Sequence, residues 1–108
     1  MNSRIFSFRS NAERSYIRLS EVIGFVEPSI LGGKNKTQKA KKMARVQYGN
    51  GPWIEDDIDF TKKIFRSRSK HVVTKFLDDE NVEIGDMLKI EKVSAFTYRI
   101  TAVKKSSK

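Results

Sequence analysis

Ala44-Arg45-Val46-Gln47-Tyr48-Gly49-Asn50-Gly51-Pro52-Trp53-Ile54-Glu55 decides the fold class of this chain. Ala44, Val46 and Tyr48 alternate with Arg45 and Gln47, the period of two that puts apolar side chains on one face of a strand. Gly49-Asn50-Gly51-Pro52 then supplies tight-turn residues, and Trp53-Ile54-Glu55 starts a return strand. A β-hairpin is predicted here.

The same period recurs on both sides of the hairpin. Phe96, Tyr98, Ile100 and Ala102 alternate with Thr97, Arg99 and Thr101, and Leu88 and Ile90 alternate with Lys89 and Glu91 after the Ile84-Gly85-Asp86 turn. Ile58 through Arg66 reads as a further strand, with Lys62, Ile64 and Arg66 on one side and Lys63 and Phe65 on the other. Tyr16-Ile17-Arg18-Leu19 is a strand candidate, and Arg4 through Arg9 a short strand or ordered tail. Two helices interrupt the strands. Leu19, Val22, Ile23 and Val26 fall at i, i+3, i+4 and i+7, with Ser20 as N-cap and Pro28 as stop. Val72 with Phe76 and Val73 with Leu77 form i, i+4 pairs behind a cap at Ser67 or Ser69, and His71 sits in the first turn. The second helix is expected to stop before Asp78, Asp79 and Glu80, whose charge its dipole disfavours at that end. Ser29 through Gln38 has no periodicity and reads as an exposed loop or arm.

These elements predict an α+β, mostly β domain: a small open barrel of about six or seven strands with two short helices covering its edges. Residues 1–14 are expected to form an amino-terminal strand or tail, 15–103 the domain, and 104–108 a disordered basic tail.

Charge is the strongest functional signal. The 108 residues carry 22 Lys plus Arg against 13 Asp plus Glu, a formal net charge of +9 and a pI near 9.9, the footprint of a nucleic-acid binder. The excess sits in two acid-free stretches. Lys34, Lys36, Lys39, Lys41, Lys42 and Arg45 lie between Pro28 and Trp53, and Lys62, Lys63, Arg66, Arg68, Lys70 and Lys75 between Phe60 and Leu77. Cations that cannot neutralise one another locally gain most from a polyanion that releases its own counterions on binding.

Other classes are disfavoured. The chain has no cysteine, which removes disulfides, thiolate catalysis and cysteine-ligated zinc, and the lone His71 does not build a metal site or a triad. No apolar run approaches the length of about 18 residues that spans a bilayer. The start of the chain lacks a signal-peptide core, so a cytoplasmic location without membrane association is expected.

The order of Pro28-Ser29-Ile30-Leu31-Gly32-Gly33, the strand pair, Asp57-Ile58-Asp59 leading to Ile64-Phe65-Arg66-Ser67-Arg68, then Phe76, Ile84-Gly85-Asp86 and Tyr98-Arg99-Ile100 resembles the DNA-binding pseudobarrel superfamily. That superfamily includes the B-three-like domains of plant hormone-response transcription factors and the target-recognition domains of some restriction endonucleases. The chain is more similar to the latter, bacterial branch, over residues 15 to 102. The resemblance implies a seven-stranded open pseudobarrel that grips the major groove with two arms, here matching Gly32 through Gln38 and the region near Asp59 to Lys70. It further implies duplex DNA as partner, a nuclease or methyltransferase domain in cis or trans, and no enzymatic activity or cofactor in this domain.

The DNA-binding residues expected on these grounds are Gly33, Lys34, Asn35, Lys36, Thr37, Gln38, Lys39, Lys62, Arg66, Arg68 and Lys70. Arg66 and Arg68 are two apart on an extended segment, so both could reach guanine edges or phosphates from one face. Asn35, Thr37 and Gln38 both donate and accept, as base edges demand, whereas the lysines suit phosphate. Two alternatives stand beside this reading. One is an RNA- or ribosome-associated small barrel; the other is a small Mg-dependent nuclease with Glu55, Asp57 and Asp59 as ligands and Lys62 or Lys63 nearby.

Overall fold

Ala44, Val46 and Tyr48 point into the core and Arg45 points out, as their alternation requires. The computed structural model describes residues 2–10, 15–33, 37–66 and 70–103. In chain order the strands are β1 (Ser3–Ser7), β2 (Leu31–Gly32), β3 (Ala44–Tyr48), β4 (Trp53–Asp56), β5 (Ile58–Asp59), β6 (Ile64–Phe65), β7 (Met87–Ser94) and β8 (Thr97–Ala102), with one α-helix, α1 (Lys70–Asp79), between β6 and β7. A five-stranded sheet has the order β1-β7-β8-β3-β4 and a three-stranded sheet the order β2-β5-β6. Together they make an open, mostly β architecture that does not close into a barrel.

Strand pairing follows burial. Phe6 faces Leu88, Ile90 faces Ile100, and Val46 faces Tyr98, all fully buried on the inner face of the larger sheet. That face packs in one cluster with Val72, Val73, Phe76 and Leu77 of α1 and with Ile30, Ile58 and Phe65 from the smaller sheet and its approach. Burying each such side chain contributes about 1.5–3 kcal/mol of hydrophobic driving force. The β3–β8 pair is parallel, whereas the β3–β4, β7–β8 and β1–β7 pairs are antiparallel. Asp57 alone separates β4 from β5, so the chain passes from one sheet to the other at a single buried carboxylate.

Glu27 fastens the amino-terminal half to the β7–β8 hairpin. Its carboxylate accepts hydrogen bonds from the Tyr98 hydroxyl and from the Phe96 N–H (3.1 and 3.2 Å), and pairs with Lys92 Nζ at 3.2 Å. Burial opposes the charged form of Glu27, but these donors outweigh it and hold its carboxyl below the ordinary value. The same arrangement, with burial first, pushes the Tyr98 hydroxyl well up.

Several expectations are corrected. The strand predicted over Ile58 to Arg66 is two short strands joined by a turn, because the Asp59 carboxylate accepts from the N–H groups of Thr61 (2.9 Å) and Lys62 (3.2 Å) and so bends the chain. Lys63 closes that turn at φ 58° and donates its N–H to the Asp59 carbonyl at 2.7 Å. The first helix is a 3-10 segment, Ser20–Phe25, broken by non-helical angles at Val22 (φ −127°, ψ 16°); Leu19, not Ser20, stands at its N-cap, and no side chain caps it. So short a piece, with Gly24 inside it, does not sustain α-helical nucleation. Pro28 opens a second 3-10 turn, Pro28–Ile30, instead of merely stopping the first. Tyr16 to Leu19 is reduced to one bridge, Arg18 with Ile64. The helix α1 includes Asp78 and Asp79, where the i, i+4 pair of Lys75 Nζ with Asp79 (2.8 Å) offsets the dipole. Its expected caps, Ser67 and Ser69, lie outside the described residues, as does the 104–108 tail. Within the predicted 29–38 loop, Leu31 and Gly32 form β2, a strand the periodicity does not show.

Candidate nucleic-acid interface

The smaller sheet brings the two basic stretches to one place. Leu31 lies beside Ile58 and Gly32 beside Asp59 in the parallel β2–β5 pair, while Ile58 and Asp59 pair with Phe65 and Ile64 in the antiparallel β5–β6 pair. The first basic stretch therefore leaves β2 at Gly33, and the second runs through the β5–β6 turn at Lys62 and Lys63 and continues past β6 at Arg66.

Arg66 joins them. Its side chain is 3 % exposed, and its Nε donates to Asp57 Oδ1 at 3.0 Å. Its Nη2 donates to the main-chain carbonyls of Gly33 (2.5 Å) and Gln38 (3.2 Å), and its Nη1 lies 4.0 Å from Asp59 Oδ2. The Gly33 N–H donates to the Gln38 carbonyl at 2.8 Å, and the Ala40 N–H donates to Asp57 Oδ2 at 2.9 Å. One guanidinium and one carboxylate thus close the two ends of the 33–38 loop, at the point where the chain goes on into 67–70. A planar fork of fixed donors suits a site needing two carbonyls and a carboxylate satisfied at once.

The glycines are required by this closure. A Cβ on Gly32 would stand 2.5 Å from Arg66 Nη2, 2.8 Å from Asp57 Oδ2 and 2.8 Å from the Gln38 carbonyl oxygen. A Cβ on Gly33 would stand 2.7 Å from the Gln38 Cβ. The Gly-Gly pair serves close approach, here to the chain's own clamp.

Arg66 is corrected accordingly: it was expected to contact bases or phosphates, and it is an internal residue holding the loop. Burial beside Asp57 turns its charge inward, where sequence spacing alone put it on the same exposed face as Arg68. Thr37, Gln38 and Lys39 are exposed beyond the clamp, and Gln38 uses its main-chain carbonyl, not its amide, to bind Arg66. Lys62 is exposed on the β5–β6 turn. Lys70 opens α1. Lys34, Asn35, Lys36 and Arg68 lie outside the described residues.

Two of the three carboxylates expected as metal ligands in the nuclease alternative, Asp57 and Asp59, are engaged elsewhere, and Glu55 is exposed on β4. Asp57 is held by Arg66 and Ala40, and Asp59 by the turn it caps. Among the described residues no group of three or more His, Asp or Glu is placed to hold a metal ion.

Two features were missed in the sequence. Phe60 is 49 % exposed on the cationic β5–β6 turn, with Lys63 Nζ 4.9 Å from its ring centroid. On the outer face of the larger sheet, Arg45 and Arg99 each lie 5.5 Å from the Trp53 ring centroid, and Arg99 Nε donates to Gln47 Oε1 at 2.7 Å. The β3 alternation, which turns Arg45 and Gln47 away from the core, could have located the second; nothing local marks Phe60 as exposed. No protein-family model matches this chain, and neither does any curated protein or solved structure. No helix among the described residues is long and apolar enough to cross a membrane.

Proposed function

We propose that this chain is a non-enzymatic, sequence-reading duplex DNA-binding domain that grips the major groove with its two basic stretches. The resemblance to pseudobarrel target-recognition domains further suggests the specificity module of a restriction or modification system, working with a nuclease or methyltransferase partner. The observation that carries the proposal is the Arg66 clamp. By bonding the Gly33 and Gln38 carbonyls from the end of β6, it gives two stretches remote in sequence a common root. Cations rising from one root present a concentrated positive field to phosphate. Thr37, Gln38 and Arg68 are assigned to base edges, with Asn35, and Lys34, Lys36, Lys39, Lys62 and Lys70 to phosphates.

The test is selection of bound duplexes from a random pool, methylated and unmethylated, followed by a salt titration on the selected site. With about six phosphates neutralised, log affinity falls against log salt with a slope near −5. Enrichment of no sequence would reduce the proposal to non-specific binding, and a slope near −1 would remove the two-stretch grip. A second reading, an RNA-associated small barrel, is favoured by one observation, the Arg45–Trp53–Arg99 face. Competition between the selected duplex and structured RNA decides between them.

A further inference from the structure

We propose that Phe60 is the residue through which this domain senses the C5 methyl group of a pyrimidine, thymine or 5-methylcytosine, in the major groove of bound DNA. The inference rests on the duplex-binding reading above and assigns that site a specificity-determining residue. Phe60 lies where such a contact is needed. Its N–H approaches the Gly32 carbonyl at 3.4 Å, which sets it beside the root of the 33–38 loop, and Lys62 and Lys63 follow it on the same turn. The ring is about half exposed, 49 %, on the turn that carries Lys62 and Lys63. Apolar side chains in a major-groove surface meet one apolar group on the base edges, the pyrimidine methyl.

The turn fixes the backbone that carries the ring. The Asp59 carboxylate holds the N–H groups of Thr61 and Lys62, and the Asp59 carbonyl holds that of Lys63 at 2.7 Å. A rigid support of this kind gives an exposed side chain positional precision. Geometry also separates methyl contact from intercalation. Lys63 Nζ stands over the ring 4.9 Å from its centroid, so one face already carries a cation. A wedge between base steps needs both faces free, whereas a methyl contact needs only one.

The experiment uses the full chain and the duplex selected from the random pool. Each thymine of the site is replaced in turn by uracil, which removes the methyl alone, and each cytosine by 5-methylcytosine; both series are repeated with Phe60→Ala and Phe60→Leu. At one pyrimidine position the native protein should prefer the methylated base by about fivefold, below the tenfold or more that an enclosed pocket draws from one methylene group. Phe60→Ala should abolish that preference, and Phe60→Leu should keep it. Thermal unfolding should differ only slightly among the three proteins, since the half-exposed ring is not part of the buried core cluster. Equal tolerance of uracil by native protein and Phe60→Ala overturns the inference while leaving duplex binding intact. DNA bending that is independent of the methyl and lost in Phe60→Ala overturns it in favour of a wedge. If the native protein retains no duplex at all, the functional reading fails first and the inference with it.

Discussion

Replacing Arg66 by glutamine tests the clamp directly. The substitution leaves the Asp57 carboxylate, which is fully buried, without its cation and takes donors from the Gly33 and Gln38 carbonyls. Breaking a buried pair from one side costs about 3–5 kcal/mol, because the surviving charge is left uncompensated. A domain of this size has a stability of about 5–15 kcal/mol, so Arg66→Gln should remove about a fifth or more of it. At ~4–8 °C per kcal/mol, the midpoint of thermal unfolding should fall by at least about 12 °C. Urea unfolding followed by circular dichroism measures the loss, and Asp57→Asn combined with Arg66→Gln completes a double-mutant cycle. The double variant should regain most of the stability, since no lone charge remains, while still lacking the bonds that close the 33–38 loop. Its binding should therefore lose sequence preference more than non-specific affinity. A loss below about 1 kcal/mol for Arg66→Gln would place it among exposed ion pairs and refute the reasoning, returning the guanidinium to the set available for DNA.

Two further outcomes follow from the core. The Tyr48 ring packs against Phe76 and its hydroxyl is buried with no hydrogen-bond partner among the described residues, so Tyr48→Phe should raise stability by about 1 kcal/mol in urea unfolding, and a loss of similar size would reveal a partner. Glu27 has a folded-state pKa below its ordinary 4.5, so the stability it adds is complete above that value and is lost as pH falls through the lowered one. Native protein should exceed Glu27→Gln in unfolding temperature near neutral pH, with the gap closing in acid; a gap that widens in acid would reverse the assignment.

How much was legible in the sequence varies with how local each feature is. The β3–β4 hairpin, β7 and β8 were readable because apolar and polar residues alternate over five or more positions and a turn signal bounds them. β2, β5 and β6 are two residues each, too short for any period, and exist through pairing with one another. The first helix lies where its i, i+3, i+4 spacing put it but is a 3-10 segment, because that spacing describes a buried face that a 3-10 turn supplies equally well. In the candidate site, Thr37, Gln38, Lys39 and Lys62 are exposed, as residues of polar, charge-rich stretches are expected to be. Arg66 did not, because two arginines spaced by one residue look equivalent until a carboxylate is placed beside one of them.

By itself, then, the sequence determined the β class, the central hairpin and the segregation of positive charge into two stretches, since each is a property of neighbours along the chain. The tertiary structure decided which cation faces inward, which aromatic faces outward, and that the two stretches share a root. Those depend on Asp57, Gly33 and Gln38 meeting Arg66 across 9, 33 and 28 positions of the chain, and a charge acquires its role from what surrounds it in space.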